Sequence, residues 1–187
     1  MRPWARNELV IVGPPDDPAQ IKGMTDGAAA LRKIAEAHAP YVDFFDAGAR
    51  QVADKLWKKA GIAPKGDWVL KDESKTGQEV VMFAEKKHAY VIVGRIPVLS
   101  GRMESGAMQI MVRGDPDMRR PFVVMVANPK RFPNANIVGA QALADYLTSA
   151  KGQQLLKEFA AKQPDGVPLF YPIDAPSTPG DSPEPAT

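Results

Sequence analysis

At 187 residues, with 44% hydrophobic and 25% charged content, the chain is long enough for one domain, or for a lobe with an appendage. Its 24 basic and 22 acidic residues leave a net charge of +2, too balanced to favour nucleic acid or a membrane surface. The absence of cysteine removes disulfides, thiolate nucleophiles and Cys-bound zinc, and no apolar run approaches the ~18 residues of a membrane span.

Met1-Arg2-Pro3-Trp4-Ala5-Arg6 lacks the apolar centre of a signal peptide, which reads as a cytoplasmic protein or as a processed or trimmed chain. Leu9–Val12 is a continuous apolar run ended by Gly13-Pro14-Pro15, the pattern of a strand buried on both faces. Thr25 or Asp26 then caps a helix with Leu31, Ile34, Ala35 and His38 on one face, stopped by Pro40. Tyr41–Phe45 reads as a short strand. Asp46 caps the next helix, whose apolar positions are Val52, Leu56 and Trp57 and whose end is Gly61. Trp68-Val69-Leu70 is a strand, Ser74-Lys75-Thr76-Gly77 a loop, and Val80, Val81, Phe83 and Ala84 mark a helix.

Tyr90–Val93, Met108–Val112 and Phe122–Val126 read as strands, the last ended by the Asn128-Pro129 turn signal. Helical periodicity runs from Gly139 to Ala161 with a break at Thr148-Ser149-Ala150, Leu169-Phe170-Tyr171 is a final strand, and the proline-rich segment Asp174–Thr187 reads as a disordered tail. Strands alternating with helices imply an α/β fold with a mixed, mostly parallel sheet flanked by helices, and ligands near the strand ends.

The stretch with the clearest chemistry is Asp46-Ala47-Gly48-Ala49-Arg50. A strand end turning into a helix N-terminus presents outward-facing backbone N–H groups, and the helix dipole favours an anion there. Thr76-Gly77 forms a second candidate loop, and Arg95 and Arg102 are candidate anion contacts. His38 and His88 are far apart in sequence and show no metal-ligand spacing. Asp16-Asp17 and Asp115-Pro116-Asp117 read as turn formers, and no serine has the setting of a catalytic nucleophile, so the chain is not read as an enzyme. Met103, Met108, Met111, Met118 and Met125 are either core filling or part of an exposed apolar face.

Several segments in order resemble the tungstate-type substrate-binding proteins of ABC transporters, of the type II periplasmic-binding-protein fold. They are Asn7–Pro14, Asp16–Gly23, Ala28–Ala39, Leu56–Ile62, Ala84–Tyr90, Asn128-Pro129, Gly139–Ala142, and Tyr146–Ser149 through Lys151-Gly152-Gln153. The resemblance implies one full lobe and part of the other. Residues 1–130 would be a second-lobe-like domain with the crossing strands, 131–173 helices of first-lobe type, and 174–187 the tail. It implies a missing first-lobe segment, a protein partner or second copy that completes that lobe, an ABC transporter membrane component as a further partner, and a periplasmic or otherwise extracytoplasmic setting.

The implied ligand is an oxyanion such as tungstate or molybdate, held by Asp46, Ala47, Gly48, Ala49, Arg50, Thr76, Gly77 and Arg95. The family loop reads Asp-Ser-Gly-Thr-His. Here Asp46 and Gly48 are kept, both hydroxyls are replaced by Ala47 and Ala49, and the arginine three residues upstream has become Asp43. The resemblance therefore implies a degenerate anion site, or a repurposed interaction module.

Overall fold

The computed structural model describes residues 1–160 and 167–173. The tail expected over 174–187 and the end of the expected helical stretch at Ala161 lie outside the described residues. The chain forms two compact units, one of Glu8–Arg120 and one of Met1–Asn7 with Pro121 onward.

β1 (Arg2–Gly13) contributes its second half to the Glu8–Arg120 unit, where Leu9–Val12 are fully buried. α1 (Gly27–Glu36) is capped by Asp26, whose Oδ1 accepts the Ala29 N–H at 2.9 Å. β2 (Tyr41–Asp43) leads to α2 (Ala47–Ala60), which ends on Gly61 in the left-handed region at φ 73°. β3 (Val69–Lys71), α3 (Val80–Lys86), β4 (Tyr90–Gly94), α4 (Arg95–Leu99) and β5 (Gln109–Val112) follow.

The strand order is β3-β2-β4-β1-β5. The sheet is mixed. β2 pairs parallel with β3 and with β4, strands joined by the crossover helices α2 and α3. β1 runs antiparallel to both β4 and β5, because it enters the sheet from the opposite end.

Leu31 and Ile34 of α1 and Leu56 of α2 are wholly buried. Tyr41 and Trp57 meet edge-to-face at 5.3 Å, and Trp57 and Trp68 at 6.0 Å. Met103, Met108, Met111 and Met118 are core residues, whereas Met125 is exposed, so the exposed-face reading of this cluster holds only for Met125. A short 3-10 turn at Pro116–Met118 is tied down by Asp115, which accepts the Gly27 N–H at 2.7 Å and the Asp117 N–H at 2.8 Å. Asp117 in turn pairs with Lys55 at 3.2 Å and Lys59 at 2.5 Å on α2.

The remaining elements are β6 (Arg119–Val124), α5 (Ile137–Thr148), α6 (Ala150–Ala160) and β7 (Phe170–Pro172). β6 begins three residues before the run expected from Phe122. In this unit β7 lies antiparallel to the start of β1, with Ala5 opposite Pro172. Phe122 meets Trp4 in a tilted contact and Phe170 edge-to-face, with centroids 6.4 and 5.8 Å apart. Gln153 is buried and fully used: its amide N–H groups reach the Trp4 and Leu147 carbonyls, both at 2.8 Å, and its oxygen accepts the Ile173 N–H at 2.9 Å. Ser149 makes the break between α5 and α6 by accepting the Gly152 N–H while donating to the Tyr146 carbonyl. On these two helices Val138, Leu143, Tyr146, Leu155 and Phe159 are exposed.

Candidate functional site

A cleft of about 420 Å³ opens in the Glu8–Arg120 unit where strand ends turn into helices. Its lining is Phe44, Asp46 and Ala49 at the start of α2, Thr76, Gly77 and Gln78 ahead of α3, Gly94 and Pro97 between β4 and α4, Met103, and Arg120 from β6.

Asp46 organises the first turn of α2. Its Oδ1 accepts the Ala49 N–H at 2.8 Å, and its carbonyl accepts the Arg50 N–H at 2.9 Å. A carboxylate thus already sits at the positive end of the helix dipole. The Arg120 guanidinium crosses to it, with Nη1 at 3.4 Å from the same Oδ1. Glycine at 48 makes that approach feasible: a Cβ there would lie 2.4 Å from Arg120 Nη1. Ahead of α3, the Thr76 carbonyl accepts the Glu79 N–H at 3.0 Å, and Gly77 lies against the Phe44 ring, which a Cβ would meet at 3.4 Å.

The structure brings Asp46, Gly48, Ala49, Thr76 and Gly77 to one cleft, and sets Ala47 exposed on the first helical position beside it. Two expected residues point elsewhere. Arg50 makes a two-pronged pair with Asp43, both contacts at 3.2 Å, and lines a separate hollow of about 120 Å³ with Tyr41 and Trp57. Arg95 is buried, with Nε 3.8 Å from Glu8, and does not line the cleft; Glu8 also accepts the Gly114 N–H. Arg102 is exposed. His88 pairs with Asp16 at 2.9 Å on the surface.

Arg120 is the residue that sequence reasoning passed over. It stands 74 positions from Asp46, and only the Arg119-Arg120 doublet at the head of an apolar run marks it. The cleft therefore carries one carboxylate, one guanidinium, a hydroxyl and an amide between apolar walls. That is a set suited to holding a small polar or charged solute.

Comparison with known proteins agrees with a binding role. The chain is 33% identical over 172 residues to a Haloferax volcanii protein described as an ABC transporter anion-binding protein, covering 89% of this chain and 49% of that one. It is 32% identical over 169 residues to the tungstate-binding protein TupA of Peptoclostridium acidaminophilum, covering 89% of this chain and 58% of the relative. The chain thus spans about half the length of the curated relatives it matches. Among solved structures, the tungstate-binding protein TupA of Desulfovibrio alaskensis G20 superposes with a TM-score of 0.71 at 27% identity, over 91% of this chain and 69% of that one. The family model for bacterial extracellular solute-binding proteins matches residues 1–159, and the chain belongs to that family.

Proposed function

We infer that this chain supplies a solute site of the tungstate–molybdate uptake class, serving an ABC transporter outside the cytoplasm, and that its grip on the bare oxyanion is weakened. The observation that carries this is the start of α2. Gly48 and the Asp46 cap are in place, but Ala47 and Ala49 offer no hydroxyl, and the Arg50 guanidinium is turned to Asp43. A hydrogen bond to a charged group contributes ~1.5–3 kcal/mol, so two absent donors correspond to about two to four decades of affinity. Arg120 offsets part of this by bringing a guanidinium to the same cleft.

The test is calorimetric titration of the full chain and of Ala47→Ser/Ala49→Thr with tungstate and molybdate. The double substitution should tighten tungstate binding by about two decades or more. Tight stoichiometric binding by the unaltered chain, or no gain from the restored hydroxyls, would overturn the reading.

A second reading, an interaction module, is favoured by a different observation. Val138 on α5 is 83% exposed and Leu143 56%, while Leu155 and Phe159 present further apolar surface on α6. Since the matched relatives extend beyond the part that this chain covers, further polypeptide packing on these helices, from the same chain, a second copy or a partner, accounts for that surface.

A further inference from the structure

Arg120 reaches the start of α2 from a segment that is itself strapped to the same helix. Gly48, Val52, Lys55 and Lys59 recur at the i, i+4, i+7 and i+11 spacing, so they form one stripe along α2. Towards its C-terminal end, Lys55 and Lys59 both reach Asp117, at 3.2 and 2.5 Å. At the other end, Gly48 lies against the Arg120 guanidinium. The chain from Asp117 to Arg120 therefore follows this stripe from the lysines to the cleft. The lengths agree. The helix rises about 10 Å from Gly48 to Lys55, at about 1.5 Å per residue. The chain from Asp117 to Arg120 spans at most about 11 Å when fully extended, so little slack separates the two anchorages.

The grip at the lysine end is firm. The Asp117 side chain is only 5% exposed, and its neighbour Met118 is wholly buried. A Cβ at Gly27 would lie 2.8 Å from Met118 Sδ, so the glycine at the head of α1 lets this turn close down on both helices. Arg120 is held by Asp46 and serves the cleft as a fixed charge, not as a free arm. The pull of such a charge on an anion falls with distance, so what matters is where the chain holds it. We propose that Asp117 is a positioning residue of the solute site: gripped by Lys55 and Lys59, it keeps the Arg119-Arg120 head of β6 in register along α2 and so fixes the guanidinium against the first turn. Its effect on affinity rests on the oxyanion reading above; its effect on Arg120 does not.

Two measurements on the full chain test it. The first needs no solute. In heteronuclear NMR, the Arg120 Nε–Hε signal, assigned by its loss in Arg120→Met, should move in Asp117→Ala and stay in place in Gly61→Ala, a strained control on the same helix. The second is tungstate calorimetry in the Ala47→Ser/Ala49→Thr background. Adding Asp117→Ala should weaken tungstate about tenfold. On top of Arg120→Met the same substitution should change affinity by less than about twofold, because the residue it acts through is gone. A merely structural role would carry the same loss into both backgrounds. An Arg120 signal that Asp117→Ala leaves unmoved, or a loss that persists without Arg120, would overturn the proposal. If Asp117→Ala fails to fold, Lys59→Met decides. That side chain is 51% exposed, Lys55 still reaches Asp117, and the Arg120 signal should move by a smaller amount; no movement would refute the role. Absence of tungstate binding in the hydroxyl-restored chain, with the Arg120 signal moved by Asp117→Ala, would sink the oxyanion reading and leave the positioning role standing.

Discussion

Tyr90 ties the turn that follows β1 to β4 through its hydroxyl. Its hydroxyl donates to Asp17 Oδ1 at 2.7 Å and accepts the buried Ala19 N–H at 3.0 Å. Partial burial pushes the Asp17 carboxyl up, but the Lys22 and Ile21 N–H groups, the Tyr90 hydroxyl and the Lys22 charge outweigh it, and its pKa lies below the usual carboxylate value. A depressed folded-state pKa contributes stability that is present above the unfolded value, about 3.9, and is lost as pH falls through the folded value. Tyr90→Phe should cost about 1–3 kcal/mol near neutral pH, through the orphaned Ala19 N–H, and should flatten the loss of stability in acid below about pH 4. Urea unfolding at a series of pH values measures both.

Arg95 is a stricter case, with its side chain and that of Glu8 each only 1% exposed. Arg95→Met removes the guanidinium beside the buried Glu8 and should cost about 3–5 kcal/mol, while adding Glu8→Gln should regain about 1 kcal/mol or more. No change in the unfolding midpoint of Arg95→Met would refute this role. The family resemblance offered Arg95 as an anion contact. Only burial, which no local pattern encodes, assigns it to the interior.

At the scale of elements, most of the order was legible, and the reasons are specific. Asp26, Asp46 and Gly61 are helix punctuation that acts within a few residues, so the limits of α1 and α2 could be read directly. The first half of β1 could not, since Arg2, Pro3 and Arg6 break any apolar run and the strand is made by pairing with β7, more than 160 positions away. α4 was missed because five residues containing Pro97 carry no helical period. The cleft was half legible for the same reason: Asp46, Gly48 and Thr76-Gly77 are turn signals, whereas Arg120 reaches the site through the sheet. Gly61→Ala tests the punctuation itself. At φ 73° a Cβ is strained although nothing lies within 4 Å of it, so the cost should be about 1 kcal/mol and purely conformational. Gly61→Asn, which tolerates this region, should cost less in the same thermal melt.

For the whole molecule, the question is what covers the apolar surface of α5 and α6. Among the described residues, nine of the large apolar side chains that stand exposed, from Phe122 to Phe159, fall in the unit that begins again at Pro121. If a second copy covers them, the chain should run above its 20.3 kDa mass in light scattering, and Leu143→Lys/Leu155→Lys should return it to that mass. A monomer in both cases removes self-association and leaves other polypeptide as the cover. Occupancy of the cleft has its own readout at this scale. A ligand at 100 times its dissociation constant adds ~2.7 kcal/mol of stability, a midpoint rise of roughly 5–11 °C for a chain of this size.

The bare backbone at Gly48 also has an evolutionary consequence. A single methyl at that position would collide with Nη1 of Arg120 at 2.4 Å, not with fixed main chain. That atom is the far end of a flexible side chain, so a larger residue at 48 is accommodated by moving the guanidinium. Among descendants of this sequence, a lineage that altered position 48 alone would have swung its cation away from the acid it now faces.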